Sequence, residues 1–97
     1  MEEYILKQEN LHNLAGKFKV LGEEKRLQII RCLEEGCKSV NEIVAHTGML
    51  QANVSKHLKI LEKHNIVTYT NEMHSHIYQI ADPKILKICK IMCENDN

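Results

Sequence analysis

The stretch that decides the fold runs from Ser39 to Val67 and reads SVNEIVAHTGMLQANVSKHLKILEKHNIV. Ser39 followed three positions later by Glu42 is a capping box, in which a hydroxyl and a carboxylate each satisfy a backbone N–H at the start of a helix. Val40, Ile43 and Val44 give that short helix an inward face, and Gly48 ends it. After a tight Thr47-Gly48-Met49 turn, a longer helix runs from about Gln51 to His64, with Asn65 suited to the left-handed position that closes it. With Val54 as zero, Leu58 falls near about 40° and Leu61 near about −20°, a narrow stripe for burial. Lys56, Lys59 and Lys63 fall at about 200°, 140° and 180°, almost directly opposite, and Ala52 lies near about 160°. Asn53 and Ser55 flank that outer face. His57, near about 300°, sits at the edge of the stripe, where it either faces a ligand or packs within the protein. A helix held by one aliphatic edge, with small polar and basic groups opposite, suits insertion into the DNA major groove.

Lysines opposite an apolar stripe are also what any solvated helix shows. The surrounding elements give them meaning. Upstream, Leu11, Leu14, Ala15, Phe18 and Leu21 recur at three- and four-residue steps and predict a first helix broken by Gly22. Glu23 to Glu35 predicts a second, with apolar Leu27, Ile30 and Leu33 and Gly36 as its stop. Downstream, Val67–Thr70 and His76–Ile80 are β-branched and aromatic runs joined by a polar tip, a hairpin. Asp82-Pro83 opens a last helix, with Asp as N-cap and Pro at the first helical position. The expected order is α-α-α-α-β-β-α: a mainly helical winged helix-turn-helix, with residues 1–97 as one domain.

The 97 residues are 43% hydrophobic with one Pro and four Gly, a globular composition near the lower size limit for a self-sufficient core. Such a chain gains stability by pairing its apolar stripes with a second copy. MEEYILKQEN carries no signal-peptide pattern, and no apolar run approaches the roughly 18 residues of a membrane span. The four cysteines therefore read as cytoplasmic thiols. Lys plus Arg equal Asp plus Glu at 13 each, so attraction to nucleic acid must come from uneven distribution. Acidic residues gather near the ends (Glu2, Glu3, Glu9, Glu94, Asp96), away from Lys56, Lys59 and Lys63. No phosphate-cradling glycine loop, nucleophile elbow or spaced Ser, His and acid set is present, which argues against an enzyme.

Three stretches, FKVLGEEKRLQIIRCL, SVNEIVAHTGMLQANVSKHLKILEKHNIV and HIYQIADP, occur in the order and spacing of the ArsR/SmtB family of winged-helix repressors, which the chain resembles from about Phe18 to Pro83. The resemblance implies a homodimer built from the first and last helices, a recognition helix starting near Gln51, a hairpin wing, and release from double-stranded operator DNA when an inducer binds. Carried over position by position, Gln51, Ala52, Asn53, Ser55, Lys56, His57 and Lys59 would face DNA, with Gln51 and Asn53 on base edges and Lys56 and Lys59 on phosphates. Leu50 stands where the family often has a capping Ser, Ala52 replaces another Ser, and the wing TYTNEMHSH lacks the usual Arg or Lys. His74 and His76 would substitute in part when protonated.

The effector is less legible. The family's metal sites use a Cys-x-Cys pair on the third helix, or Asp and His on the last. Here Ser39 and Asn41 occupy the first pair of places, with Cys37 two residues early. Asp82 matches at the last helix, but Lys84 and Asn95 replace histidines. What remains is Cys32 on the second helix and Cys89 with Cys93 on the last, loosely similar to family members that respond to reactive sulfur or redox state. Cys89 and Cys93, four apart on one helix, place their Cβ atoms about 5–6 Å apart, wide for a disulfide but able to share a soft metal ion. Three readings stay open for them: packing in an apolar stripe with Ile85, Ile88 and Met92, thiol-based sensing, and soft-metal or arsenite binding. His74-x-His76 could ligate zinc only with a third group that the sequence does not supply nearby. A winged helix used for protein interaction without DNA contact is the remaining alternative for the whole chain.

Overall fold

The computed structural model describes residues 4–94; Glu2, Glu3, Asn95 and Asp96, which entered the charge and ligand arguments, lie outside them. A short 3-10 turn (Gln8–Asn10) leads into helix α1 (Leu11–Leu21) and helix α2 (Glu24–Glu34). Strand β1 (Lys38–Ser39), helix α3 (Val40–Thr47) and helix α4 (Gln51–Lys63) follow. Strands β2 (Val67–Glu72) and β3 (Ser75–Ile80) and helix α5 (Lys84–Cys93) complete the order. This is a winged helix-turn-helix fold.

The capping box forms as the sequence predicts: Glu42 N donates to Ser39 Oγ at 3.2 Å, and Ser39 N donates to Glu42 Oε1 at 2.8 Å. Gly48 closes α3 in the left-handed region at φ 75°, and Asn65 turns the chain out of α4 at φ 60°. At the last helix, Asp82 Oδ1 accepts from Lys84 N at 3.0 Å, so Asp82 caps it although the regular helix begins one residue after Pro83. The core is aliphatic, as a chain without Trp requires. Ile29, Ile43, Val54, Leu58, Leu61, Ile66 and Val67 are essentially without exposed surface, each contributing roughly 1.5–3 kcal/mol of hydrophobic transfer. They join α2, α3, α4 and the base of the hairpin into one cluster.

Three details depart from the sequence reading. Strand β1 was not expected: it pairs antiparallel with β3 (Lys38 opposite Tyr78, Ser39 opposite Ile77) and makes the wing a three-stranded sheet in the order β1-β3-β2. Its position buries the Lys38 stem while the ammonium reaches Glu35 Oε1 at 3.6 Å. The hairpin strands run to Glu72 and from Ser75, around a two-residue turn in which Met73 (φ 46°) and His74 (φ 72°) are both left-handed, the mirror-image turn that matches strand twist. And Leu27, expected inside, is 39% exposed, while Ile29 and Cys32 join Ile30 and Leu33 in the core.

The molecule is elongated, 54 × 33 × 20 Å with a radius of gyration of 15.0 Å, against about 13 Å for a compact domain of this size. Among the described residues, large apolar side chains stand exposed toward both ends: Ile5, Leu6, Leu11 and Phe18 in the first segments, Ile91 and Met92 on α5.

Candidate nucleic-acid interface

Helices α3 and α4 are joined by a turn held from within. Thr47 Oγ1 donates to the Ile43 carbonyl at 2.8 Å and accepts from Met49 N at 3.2 Å. Gly48 N donates to the Val44 carbonyl at 2.8 Å, and the Met49 side chain is buried beneath the turn. The sequence reading names Thr47 only as part of the turn; its hydroxyl, bonded on both sides, ties the end of α3 to the approach to α4. Leu50 opens α4 without a side-chain cap, and its carbonyl accepts from Asn53 N and Val54 N, both at 3.0 Å. The Leu50 side chain is 73% exposed at the entry to the helix.

Val54, Leu58 and Leu61 are the buried edge of α4. Gln51, Ala52, Asn53, Lys56 and Lys59 are exposed together on the outer side, with Lys63 one turn further on and Ser55 half-buried beside them. Among the described residues the ion pairs are Arg26–Glu23, Lys38–Glu35 and Lys84–Asp82, none of which engages these three lysines. The helix thus presents two amide side chains at its start and ammonium groups behind them.

His57 departs from that outer face. Its side chain is 13% exposed, its Nε2 lies 3.9 Å from Glu23 Oε1, and its Nδ1 lies 3.4 Å from Arg26 Nη1. The position near the edge of the apolar stripe is decided in favour of contacts within the protein, because α2 and the residue before it supply partners for both ring nitrogens.

On the wing, Tyr69, His76 and Tyr78 form a ring cluster, with centroids 4.2 Å apart for Tyr69–His76 and 5.4 Å for Tyr69–Tyr78. His76 Nδ1 also bonds Asn71 Oδ1. Ser75 and His76 share a cleft of about 180 Å³ with Ser39, Val40, Asn41 and Gln51, which joins the turn end of β3 to the starts of α3 and α4. His74 instead sits in the exposed turn.

The four thiols are free, and they are separated. Cys32 is buried and borders a cleft of about 240 Å³ with Gln28, Arg31, Glu35, His46 and Thr47. Cys89 and Cys93 border a different groove of about 410 Å³ with Glu34, Leu86, Lys87 and Lys90. Cys32 and the two α5 thiols thus border different clefts. Burial pushes both the Cys32 and the Cys89 thiol up, with Glu35 and Glu42 adding to the rise at Cys32 against a nearby Lys38, and Cys93 and Glu34 adding to it at Cys89. Cys37, exposed, donates its S–H to Gln79 Oε1 at 3.2 Å. Among the described residues no three His, Cys, Asp or Glu side chains converge as a metal site would need.

A helix-turn-helix followed by a hairpin wing, with amides and lysines on the outer side of its second helix, defines the class: a winged-helix regulator. Residues 23–69 match the family of bacterial regulatory proteins named arsR, and the chain carries the helix-turn-helix domain of that family. Among solved structures, it is similar to the homodimeric winged helix-turn-helix DNA-binding domain Mb0332 from Mycobacterium bovis. That pair is 27% identical over 93% of this chain and 83% of the other, with a TM-score of 0.81. The transcriptional regulator HlyU from Vibrio vulnificus is 26% identical over 88% of each chain, with a TM-score of 0.75. The transcriptional repressor BigR from Xylella fastidiosa is 24% identical over 88% and 87%, with a TM-score of 0.78, a likeness of fold. Among the described residues no helix is long and apolar enough to cross a membrane.

Proposed function

We propose that the protein is a cytoplasmic, homodimeric repressor that binds operator DNA through α4 and is released by an inducer sensed at cysteine thiols. The observation that carries the DNA reading is the exposed outer side of α4, from which Gln51 and Asn53 would reach base edges and Lys56 and Lys59 phosphates. Dimerisation is supported by the uncovered apolar residues of the two terminal segments, Leu11 and Phe18 on α1 and Ile91 and Met92 on α5. A two-fold pair would set the two recognition helices one turn of DNA apart.

For the effector, Cys89 and Cys93 line one groove flanked by Lys87 and Lys90. Modification of either thiol would add bulk on the apolar side of α5 and so act on the dimer. A soft metal ion held by the same two thiols is the second reading, favoured by their shared groove. Without DNA contact, the fold would serve protein interaction instead; the wing, which exposes Met73 and carries no Arg or Lys, favours that reading. Sedimentation combined with titration of duplex DNA at rising salt separates them. A dimer whose affinity falls steeply with salt supports the repressor. A dimer with no salt-sensitive DNA binding supports the interaction module.

A further inference from the structure

Arg26 joins three helices at one point. It lies in the first turn of α2, and its side chain is only 12% exposed. Its Nε donates to the Val20 carbonyl at 2.6 Å, one of the acceptors that the last turn of α1 leaves without an intrahelical partner. Its Nη2 lies 3.0 Å from Glu23 Oε2, and its Nη1 points at His57 Nδ1 on α4 at 3.4 Å. A guanidinium only donates, so in this contact Nδ1 is the acceptor, while Nε2 lies 3.9 Å from Glu23 Oε1. One fork of donors therefore spans the end of α1, the start of α2 and the middle of α4.

We infer that Arg26 is a positioning residue for DNA binding, fixing the orientation of the recognition helix relative to α1. The inference rests on the DNA-binding reading above for its functional consequence, though the tie itself is independent of it. In a dimer held through the terminal helices, the angle between α1 and α4 decides whether both recognition helices meet their half-sites together. Contact with DNA of any sequence depends instead on the exposed lysines, which Arg26 does not touch. Loss of the tie should thus reduce discrimination more than affinity. Lysine cannot replace the fork, because a single ammonium lacks the planar array of donors. At position 57, Gln retains an acceptor for the guanidinium and Leu does not.

The test uses the full chain as wild type, R26K, H57L and H57Q. Two quantities are read: amide hydrogen exchange along Gln51–Lys63, and the ratio of affinities for the gene's upstream duplex and a scrambled duplex. R26K and H57L are expected to speed α4 exchange and to lower the ratio about tenfold, the size of one hydrogen bond to a charged group. Binding of the scrambled duplex stays within about twofold of wild type, as does H57Q in both readouts. Equal losses on both duplexes, unchanged α4 exchange, or H57Q behaving as H57L would overturn the inference. Should R26K fail to fold, the H57L and H57Q pair decides it. If wild type binds neither duplex in a salt-sensitive way, the DNA reading falls separately, and exchange in α4 alone upholds or refutes the tie.

Discussion

Val54 and Lys56 are two residues apart on α4 and face opposite surroundings: Val54 has no exposed surface, and Lys56 stands in solvent. That division separates folding from binding within one helix. Leu58→Ala, at a site with no exposed surface, is expected to cost about 2–5 kcal/mol through forfeited transfer energy and the cavity left behind. Lys56→Ala is expected to change stability by less than about 0.5 kcal/mol. Urea unfolding of both variants checks the pair, and comparable destabilisation by the two would show that the outer side of α4 is packed.

Ser39 and Glu42 cap α3 reciprocally, and α3 sets the platform from which the turn launches α4. Ser39→Ala should lower stability by about 1 kcal/mol by leaving the Glu42 amide unsatisfied. The midpoint of urea unfolding should fall with its slope unchanged.

The thiols should differ in reactivity by position. Burial raises Cys32 and Cys89, so neither gains thiolate character at neutral pH. Iodoacetamide under native conditions should label exposed Cys37 and Cys93 first and Cys32 last, as read by peptide mass mapping. The same shifts carry a sign for stability. The folded state holds these protons more tightly than the unfolded chain, so their contribution is fully present below the unfolded thiol pKa, about 8.5. It is lost as pH rises through the higher folded values. Stability should therefore decline in alkali, and Cys32→Ala with Cys89→Ala should flatten that decline. A decline of the same steepness in the double variant would locate it elsewhere.

Cys93→Ser is expected to blunt release from DNA by thiol-reactive inducers while leaving DNA affinity within about twofold, because Cys93 lies on α5, outside the α4 face. Polysulfide, arsenite and zinc, each added to the DNA complex in turn, distinguish the thiol reading from the metal one. An unchanged response to all of them would return Cys89 and Cys93 to a packing role.

What the sequence disclosed follows the range of the interactions. Ser39 with Glu42, Gly48 and Asn65 act within a turn of their own positions, so type and spacing were enough. The α4 stripe was legible because three fully buried residues, Val54, Leu58 and Leu61, repeat on one edge. Strand β1 was not legible: two residues carry no periodicity, and its pairing partner Tyr78 lies far along the chain. The Met73-His74 turn lacks the Asn-Gly or Asp-Gly signal that usually marks left-handed pairs. The exposure of Leu11, Leu27 and Phe18 was hidden because an apolar stripe looks the same whether it meets its own core or another surface. His57 lay on the boundary by angle alone; its partners Arg26 and Glu23 come from far earlier in the chain, as the separation of 31 from Arg26 shows.

The most direct test is a fluorescence-anisotropy titration of the gene's own upstream DNA at several salt concentrations, under reducing conditions, with wild type and the Lys56→Ala, Lys59→Ala double variant. Wild type should bind with an affinity that falls linearly with salt on logarithmic axes. The double variant should bind more weakly, with a slope reduced by about 2, one for each phosphate it no longer neutralises. Identical affinity and slope for the two proteins would contradict the assignment of the α4 outer side to DNA.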